Sequence, residues 1–302
     1  MNKRVVAILL AGIIFSGMIY SHPAFAHNFG GDESASFIAR NWELRAEMVG
    51  IEQDLSSQTD VSWHISKSGE YWNANDTREM GERNTLLAKE IPSTLSDIYT
   101  AANVTKPDPN VVKQKVDQLL GYLDEAIPVR IDKDKTQNAT VQITAVNVMV
   151  RETLEHYGDA LNSTFSLNDM SNMNATNMSG GSMSGMSAQT IVNNAAYTSA
   201  KLTAKYAQDY FDKNVKPLAP ASSSVQVQKI DSTLMDLNQE IANKADPNSV
   251  MMTVHMQMHP AMITGFGLKE ASVPEFPVPT LLVIISIVGV IMITRLRPQL
   301  RQ

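Results

Sequence analysis

VVKQKVDQLLGYLDEAI, residues 111–127, returns as VQVQKIDSTLMDLNQEI at residues 225–241. The copies share a Gln-Lys-x-Asp motif, at Gln114–Asp117 and Gln228–Asp231, and the apolar residues after it are spaced alike. Spacings of three and four residues put these side chains on one face of an α-helix. The two copies therefore predict an all-α fold with an internal repeat.

Apolar residues recur at helical spacing on both sides of each copy, and no stretch alternates convincingly with a period of two. The β-branched run at 141–150 is the weakest part of the helical pattern. We expect a bundle of about six helices in two three-helix units, residues 27–131 and 132–245. The helices are predicted at about 33–56, 77–101, 109–127, 140–166, 188–215 and 223–244.

Both ends of the chain carry export or membrane signals. Residues 1–26 predict a secretory signal peptide, with basic residues first, an apolar stretch and the cleavage site Ala24-Phe25-Ala26. An uncleaved membrane anchor is the alternative. Residues 278–294 are nearly all apolar, and a helix of this length spans roughly 25 Å, the lower limit for crossing a bilayer. Arginines follow it, which predicts that the protein lies at the extracellular face of the membrane, in the pseudoperiplasm.

The residues Pro274-Glu275-Phe276 stand shortly before the predicted transmembrane helix. A Pro-Glu-Phe motif, a short apolar helix and an Arg-rich tail over residues 274–302 together resemble the PEF-type carboxy-terminal sorting signals of archaeal surface proteins. The resemblance implies processing by an archaeosortase-like enzyme, with loss of the helix and transfer to a lipid. A plain membrane anchor is the alternative.

The composition excludes several classes of protein. The chain has 302 residues, a formal net charge of −6 and no cysteine. It therefore holds no disulfide framework, iron–sulfur cluster or Cys-type zinc site, and it lacks the basic balance of a nucleic-acid-binding protein. The sequence has no G-x-S-x-G, Gly-rich phosphate loop or H-E-x-x-H motif. We predict that the protein is not an enzyme and binds no nucleic acid.

The exported part is acidic and carries several Asn-x-Ser/Thr motifs. All 31 acidic residues lie between Asp32 and Glu275, a balance that favours solubility and concentrates cations at the surface. In a secreted chain, Asn-x-Ser/Thr is an acceptor motif for glycans, although such motifs also arise by chance. The predicted acceptors are Asn75, Asn103, Asn138, Asn162, Asn174 and Asn177.

A methionine-rich loop is predicted at residues 168–187. Asn, Ser and Gly dominate this loop, so it cannot form a core, and exposed methionines are hard to explain by packing. Thioethers are soft, uncharged ligands that suit Cu(I) and need no deprotonation. A passive Met-rich linker is the alternative. The predicted Cu(I) ligands in the loop are Met170, Met173, Met178, Met183 and Met186.

A second cluster lies in a predicted juxtamembrane linker, residues 246–277. It combines five methionines with two histidines within residues 251–262. Imidazole suits Cu(II), thioether suits Cu(I), and histidines four residues apart share one face of a helix. Apolar packing near the membrane is the alternative. The predicted ligands are Met251, Met252, His255, Met256, Met258 and His259.

Cleavage after Ala26 would make His27 the first residue of the mature protein. An amino-terminal histidine offers its amine and a ring nitrogen to one metal ion, and a second histidine completes the arrangement called a histidine brace. His64, in a loop expected at 57–76, is the candidate second histidine. His156 is expected to be a helix-surface or packed histidine.

The stretch His27–Phe37 (HNFGGDESASF) resembles the mature start of helical surface proteins in ammonia-oxidising archaea (Thaumarchaeota). Gly81-Glu82-Arg83-Asn84 is similar to their second-helix pattern. With the Pro-Glu-Phe tail, the resemblance spans nearly the whole chain and implies a helical protein at the cell surface. These organisms depend on copper enzymes, including a membrane monooxygenase, and on cupredoxins. The implied partner is therefore a membrane copper-enzyme complex or a cupredoxin.

Two functions remain consistent with the sequence. The first is an exported, membrane-anchored protein that captures or passes copper through its Met/His clusters. The second is a glycosylated structural or accessory protein of the cell envelope with no catalytic role. A third, a brace-type copper oxidase, requires His27 and a second histidine within ligand reach.

Overall fold

A computed structural model of the protein describes residues 33–163 and 188–268, and every regular element in these ranges is a helix. The predicted all-α fold is confirmed. Residues 31–269 belong to one compact unit. The helices are α1 (Glu33–Gln53), α2 (Gln58–Tyr71), α3 (Ala74–Arg83), α4 (Thr85–Ala102), α5 (Pro109–Arg130), the single turn α6 (Lys133–Thr136), α7 (Ala139–Leu161), α8 (Asn194–Tyr210), α9 (Ser224–Ala242), α10 (Pro247–Met252) and α11 (His259–Phe266).

Four helices form the centre of this unit. α7 and α8 make the most extensive contact, α1 packs against both, and α2 packs against α1 and α8. α7 contributes a stripe of buried aliphatic residues that includes Val146, Val150 and Leu154. α1 is enclosed by neighbours on several sides, so that even Glu43 and Glu47 are buried. The centre therefore contains charged groups among its apolar side chains.

The two copies of the repeat form α5 and α9, and each buries one apolar stripe. The stripe of α5 includes Leu119 and Leu123, and α5 packs against α1 and α4. The stripe of α9 includes Leu234 and Leu237, and α9 packs against α8 and against the carboxy-terminal helices. These are α10 and α11, which a π-helical segment, Thr253–Met258, joins. The same sequence motif thus meets different neighbours in the two copies.

The prediction of a loop at 57–76 is wrong, because these residues form α2 and the first turn of α3. Ser57 caps α2, since its side chain accepts a hydrogen bond from the Asp60 N–H. The buried residues of α2 are Val61, His64, Ser68 and Tyr71. They follow helical spacing, but three of the four are polar, so no apolar pattern marks the helix.

The expected count of about six helices is too low for the described residues. The helix predicted at 77–101 divides at Asn84, whose N–H donates to the Met80 carbonyl to end α3 and whose side chain accepts from Leu86 and Leu87 to begin α4. The helix predicted from 188 begins at Asn194. The expected linker at 246–277 is helical from Pro247 to Phe266.

Within the two described ranges, no helix is long and apolar enough to cross a membrane. The predicted signal peptide (1–26) and the predicted anchor (278–294) lie outside the described residues.

Candidate functional site

Part of the predicted copper site lies outside the residues that the structure describes. This holds for the whole methionine loop and for the predicted amino-terminal histidine. The residues concerned are His27, Met170, Met173, Met178, Met183 and Met186, together with the predicted glycan acceptors Asn174 and Asn177.

His255 and His259 lie together on the π-helical segment and the first turn of α11. Their ring centroids are 5.0 Å apart and the rings meet edge to face. Both residues are partly exposed, as is Met252, although Nε2 of His259 is buried, and Met256 between them is 49% exposed. The structure thus brings two imidazoles together, and two of the predicted thioether residues lie on the same partly exposed segment.

The His259 ring is held in its neutral form. Burial lowers the pKa of His259 to about 3, and the charges of His255 and Arg151 act in the same direction. Neutral imidazole is the form that binds a metal ion, because the binding nitrogen must carry a free electron pair. A metal ion at this histidine would therefore not have to displace a proton at neutral pH.

Met251 and Met258 point the other way, into the core. Both are fully buried, as are Val254 and Met262 on the same stretch. Met is a common core residue because its flexible thioether fills irregular spaces. Packing therefore accounts for Met251 and Met258 without any ligand.

His64 lies at the centre of the bundle and is fully buried. Its Nδ1 is 2.7 Å from Glu47 Oε2 and its Nε2 is 3.0 Å from Asp54 Oδ2. Burial alone lowers the pKa of His64, but the hydrogen bonds and charges of Asp54 and Glu47 raise it to about 9. The ring is therefore an imidazolium that donates to a carboxylate from each nitrogen. In this state it has no electron pair to offer a metal ion.

A second buried histidine, His156 on α7, adjoins this pair. Its Nε2 is 3.5 Å from Glu47 Oε1 and 3.2 Å from the Tyr71 hydroxyl, which also lies 3.2 Å from Glu152 Oε2. Burial lowers the pKa of His156 to about 3, and the charges of Lys67 and His64 act in the same direction. The bundle thus holds one charged and one neutral histidine side by side.

The buried Glu43 and Glu47 and the partly exposed Glu152 complete the cluster. Burial raises the pKa of Glu43 well above its usual value, raises that of Glu47, and raises that of Glu152 to about 7. Within the described part of the protein, one buried oxygen each of Glu43 and Glu47 has no hydrogen-bond partner. Carboxylates in this setting carry a large desolvation cost, which a buried imidazolium partly offsets.

The sequence pattern did not reveal this cluster. Two pairs at a spacing of four residues, Glu43/Glu47 and Glu152/His156, are the signal that could have found it, because each pair shares one face of a helix with apolar residues. Among residues 33–163 and 188–268, no group of three or more His, Asp or Glu side chains is placed to hold a metal ion. The two ring nitrogens of His64 are instead hydrogen bonded to Glu47 and Asp54.

Four predicted glycan acceptors lie on the described surface. Asn75, Asn103, Asn138 and Asn162 are all exposed. Asn138 caps α7, because its side-chain oxygen accepts from the N–H groups of Thr140 and Val141. Asn103 and Asn162 lie at the ends of α4 and α7.

No family model, curated protein or solved structure shows significant similarity to this chain.

Proposed function

We propose that this protein is exported, is held at the extracellular face of the membrane by residues 278–294, and captures or passes copper through its Met/His clusters. The observation that supports this best is the pair His255 and His259, with ring centroids 5.0 Å apart on a partly exposed segment. Imidazole pairs of this kind suit Cu(II), and the neighbouring thioethers of Met252 and Met256 suit Cu(I).

The proposed copper ligands lie in two clusters, this pair of histidines and the methionine loop. Met170, Met173, Met178, Met183 and Met186 supply thioethers for Cu(I), and His255 and His259 bind either oxidation state. His64 is left out of the ligand set, because both of its nitrogens donate to carboxylates. His27 is an additional proposed ligand that depends on cleavage after Ala26.

Several further features belong to the same proposal. They are a signal peptide at 1–26, a PEF-type sorting signal at 274–302 that an archaeosortase-like enzyme recognises, and an origin of the bundle in two three-helix units. A cupredoxin or a membrane copper-enzyme complex is the proposed partner for copper transfer. The resemblance to surface proteins of ammonia-oxidising archaea supports these points.

An anaerobic Cu(I) competition titration of the full-length protein tests the proposal. We expect one or two equivalents to bind. Replacing the five loop methionines by Leu should abolish most of this binding. In a separate titration with Cu(II), the paired changes His255→Gln and His259→Gln should weaken binding. Met258→Leu is the matched control, because Met258 is a core residue and its loss should leave copper affinity unchanged. Binding no tighter than that of a chain with a scrambled loop sequence would refute the copper function.

The exposed glycan acceptors favour a second candidate function. A glycosylated accessory protein of the envelope would use the surface that bears Asn75, Asn103, Asn138 and Asn162. Mass spectrometry of peptides from the native protein would detect glycans at these residues. A glycosylated protein that binds no copper in the titration would favour this second function over the first.

A further inference from the structure

Polar groups make up most of the buried face of helix α2, beside the buried Val61 and the partly buried Ile65. Of its four buried residues, only Val61 is aliphatic, while His64, Ser68 and Tyr71 are hydrogen bonded to other parts of the protein. Ser68 Oγ is 2.7 Å from the Tyr99 hydroxyl. Tyr71 reaches Glu152 and His156. We call the three side chains of His64, Ser68 and Tyr71 the polar seam of α2.

A polar seam holds a helix more weakly than an apolar face of the same size. Burying a large aliphatic side chain contributes more to stability than a neutral hydrogen bond does. Hydrogen bonds between charged groups are stronger than neutral ones. The pair of His64 with Glu47 is therefore the strongest single fastening of α2.

The surroundings of His64 are rich in acids. α1 supplies Glu43 and Glu47, and the turn after it supplies Asp54. The other titratable groups around the seam are Lys67 and Glu70 on α2, Tyr99 on α4, and Glu152, Glu155, His156 and Asp159 on α7. α8 presents the hydroxyl of Ser199, 3.3 Å from His64 Nδ1. Loss of the His64 charge would leave the Glu47 carboxylate buried with no cation in contact, which is strongly unfavourable.

Both ends of α2 have their own attachments. Before it, Ser57 donates its N–H to the Asp54 carbonyl. After it, Trp72 donates from Nε1 to Thr77 and packs near the ring of Phe37. These contacts involve residues before and after α2 and not the polar seam, so they can hold the neighbouring chain in place when the seam opens.

We propose that α2 is a detachable strap over the interior of the bundle, fastened by the contact of His64 with Glu47 and released as a unit when that contact is broken. Release would expose Glu47, His156 and Ser199 to solvent while α1, α7 and α8 remain packed on one another. The strap is independent of the proposed copper site, since it involves neither the methionine loop nor the pair His255 and His259.

The absence of cysteine makes a direct test possible. In the full-length protein, Ser68→Cys places a single thiol in the polar seam, Ser66→Cys places one on the exposed face of α2, and Thr233→Cys places one in the fully buried part of α9. The rate of alkylation of each thiol is measured and divided by the rate of the Ser66→Cys variant. This ratio removes the effect of pH on thiol reactivity, which depends on the thiolate fraction.

We expect His64→Gln to raise the relative rate of the Ser68→Cys variant at neutral pH at least tenfold and to leave the Thr233→Cys variant protected. In variants that keep His64, raising the pH from 7 to 9.5 should likewise raise the relative alkylation rate of Ser68→Cys and leave Thr233→Cys protected. Glu47→Gln should reduce this effect of pH, because Asp54 is then the carboxylate that remains in contact with His64. The proposal is overturned if the two buried thiols become reactive together, which is global unfolding, or if His64→Gln leaves the Ser68→Cys variant as protected as before.

Discussion

Gly50 lies directly against the ring of His64: a Cβ at position 50 would stand 2.4 Å from Cε1 of His64. Glu47 and Asp54 flank Gly50 at helical spacing, one turn earlier and one turn later on the same face. The missing side chain at 50 therefore opens the gap in which the imidazole reaches a carboxylate from each of its nitrogens.

Gly50→Ala should consequently destabilise the protein, although Ala is ordinarily better than Gly in a helix. The new methyl group would displace the His64 ring and lengthen its contacts with Glu47 and Asp54. Overpacking of a tight interior costs about 1–3 kcal/mol, and a weakened buried ion pair adds to that cost. Urea unfolding followed by circular dichroism measures the change in free energy of unfolding.

Gly69 and Gly121 provide matched controls, because a Cβ at either position meets no atom within 4 Å. Each lies in a helix, where replacing Gly by Ala gains roughly 0.5–1 kcal/mol. Gly69→Ala and Gly121→Ala should therefore stabilise the protein slightly. If Gly50→Ala were also stabilising, His64 would not be confined as described.

Stability should decline between pH 6.5 and 9. The pKa of His64 is about 9 in the folded protein against 6.5 in the unfolded chain, so the folded state holds this proton more tightly. The stabilisation from His64 is complete below about pH 6.5 and is lost as the pH rises through 9, at about 1.4 kcal/mol per pH unit. The total from this one group is on the order of 3 kcal/mol. Urea unfolding at several pH values measures it.

The variant Asp54→Asn distinguishes the contribution of His64 to this pH dependence from the contributions of the other titratable groups. Glu43, Glu47 and Glu152 have raised pKa values and add a loss of stability of the same sign. With one carboxylate removed, the pKa of His64 in the folded protein should fall. The loss of folding stability that His64 causes should then occur at lower pH. An identical pH profile for the two proteins would show that His64 does not titrate as described.

His156 should remain neutral in the folded protein down to about pH 4. Burial lowers its pKa to about 3, so the stability that comes from its neutral form is present above about pH 6.5 and is lost as the pH falls towards 3. Ring carbon and nitrogen chemical shifts in nuclear magnetic resonance report its state directly. His156→Gln should identify the signal and remove this part of the acid sensitivity. A His156 signal that titrates near 6.5 would contradict the buried environment.

Met256 and Met258 should respond very differently to truncation. Met258 is fully buried and Met256 is 49% exposed. Met258→Ala leaves a cavity in the core and should cost about 2–5 kcal/mol, whereas Met256→Ala should change stability by less than about 0.5 kcal/mol. Thermal unfolding of the two variants makes the comparison. Equal losses would mean that the segment 253–258 does not pack as the structure shows.

The parts of the fold that follow apolar periodicity were predictable from the sequence. α1, α5, α7 and α9 lie within a few residues of their expected positions, because each buries a stripe of aliphatic side chains. The β-branched run at 141–150 is helical as well, since α7 is buried on most of its surface and packing outweighs local propensity.

The polar interior was not predictable in the same way. α2 has one fully buried aliphatic residue, Val61, and one partly buried one, Ile65, which is too few for apolar periodicity to identify the helix. Whether Glu47 is a surface charge or a buried one depends on which helices surround α1, and that is a property of the tertiary structure. The i, i+4 spacing of His255 and His259 did predict their proximity, because it requires only a local helix.

The composition of the polar seam also affects how the release of α2 would respond to denaturant. The slope of unfolding free energy against urea concentration scales with the surface that becomes exposed. Release of one fourteen-residue helix exposes less surface than unfolding of the whole bundle does. Amide hydrogen exchange in α2 should then depend less steeply on urea concentration than exchange in α7, which should follow the global transition.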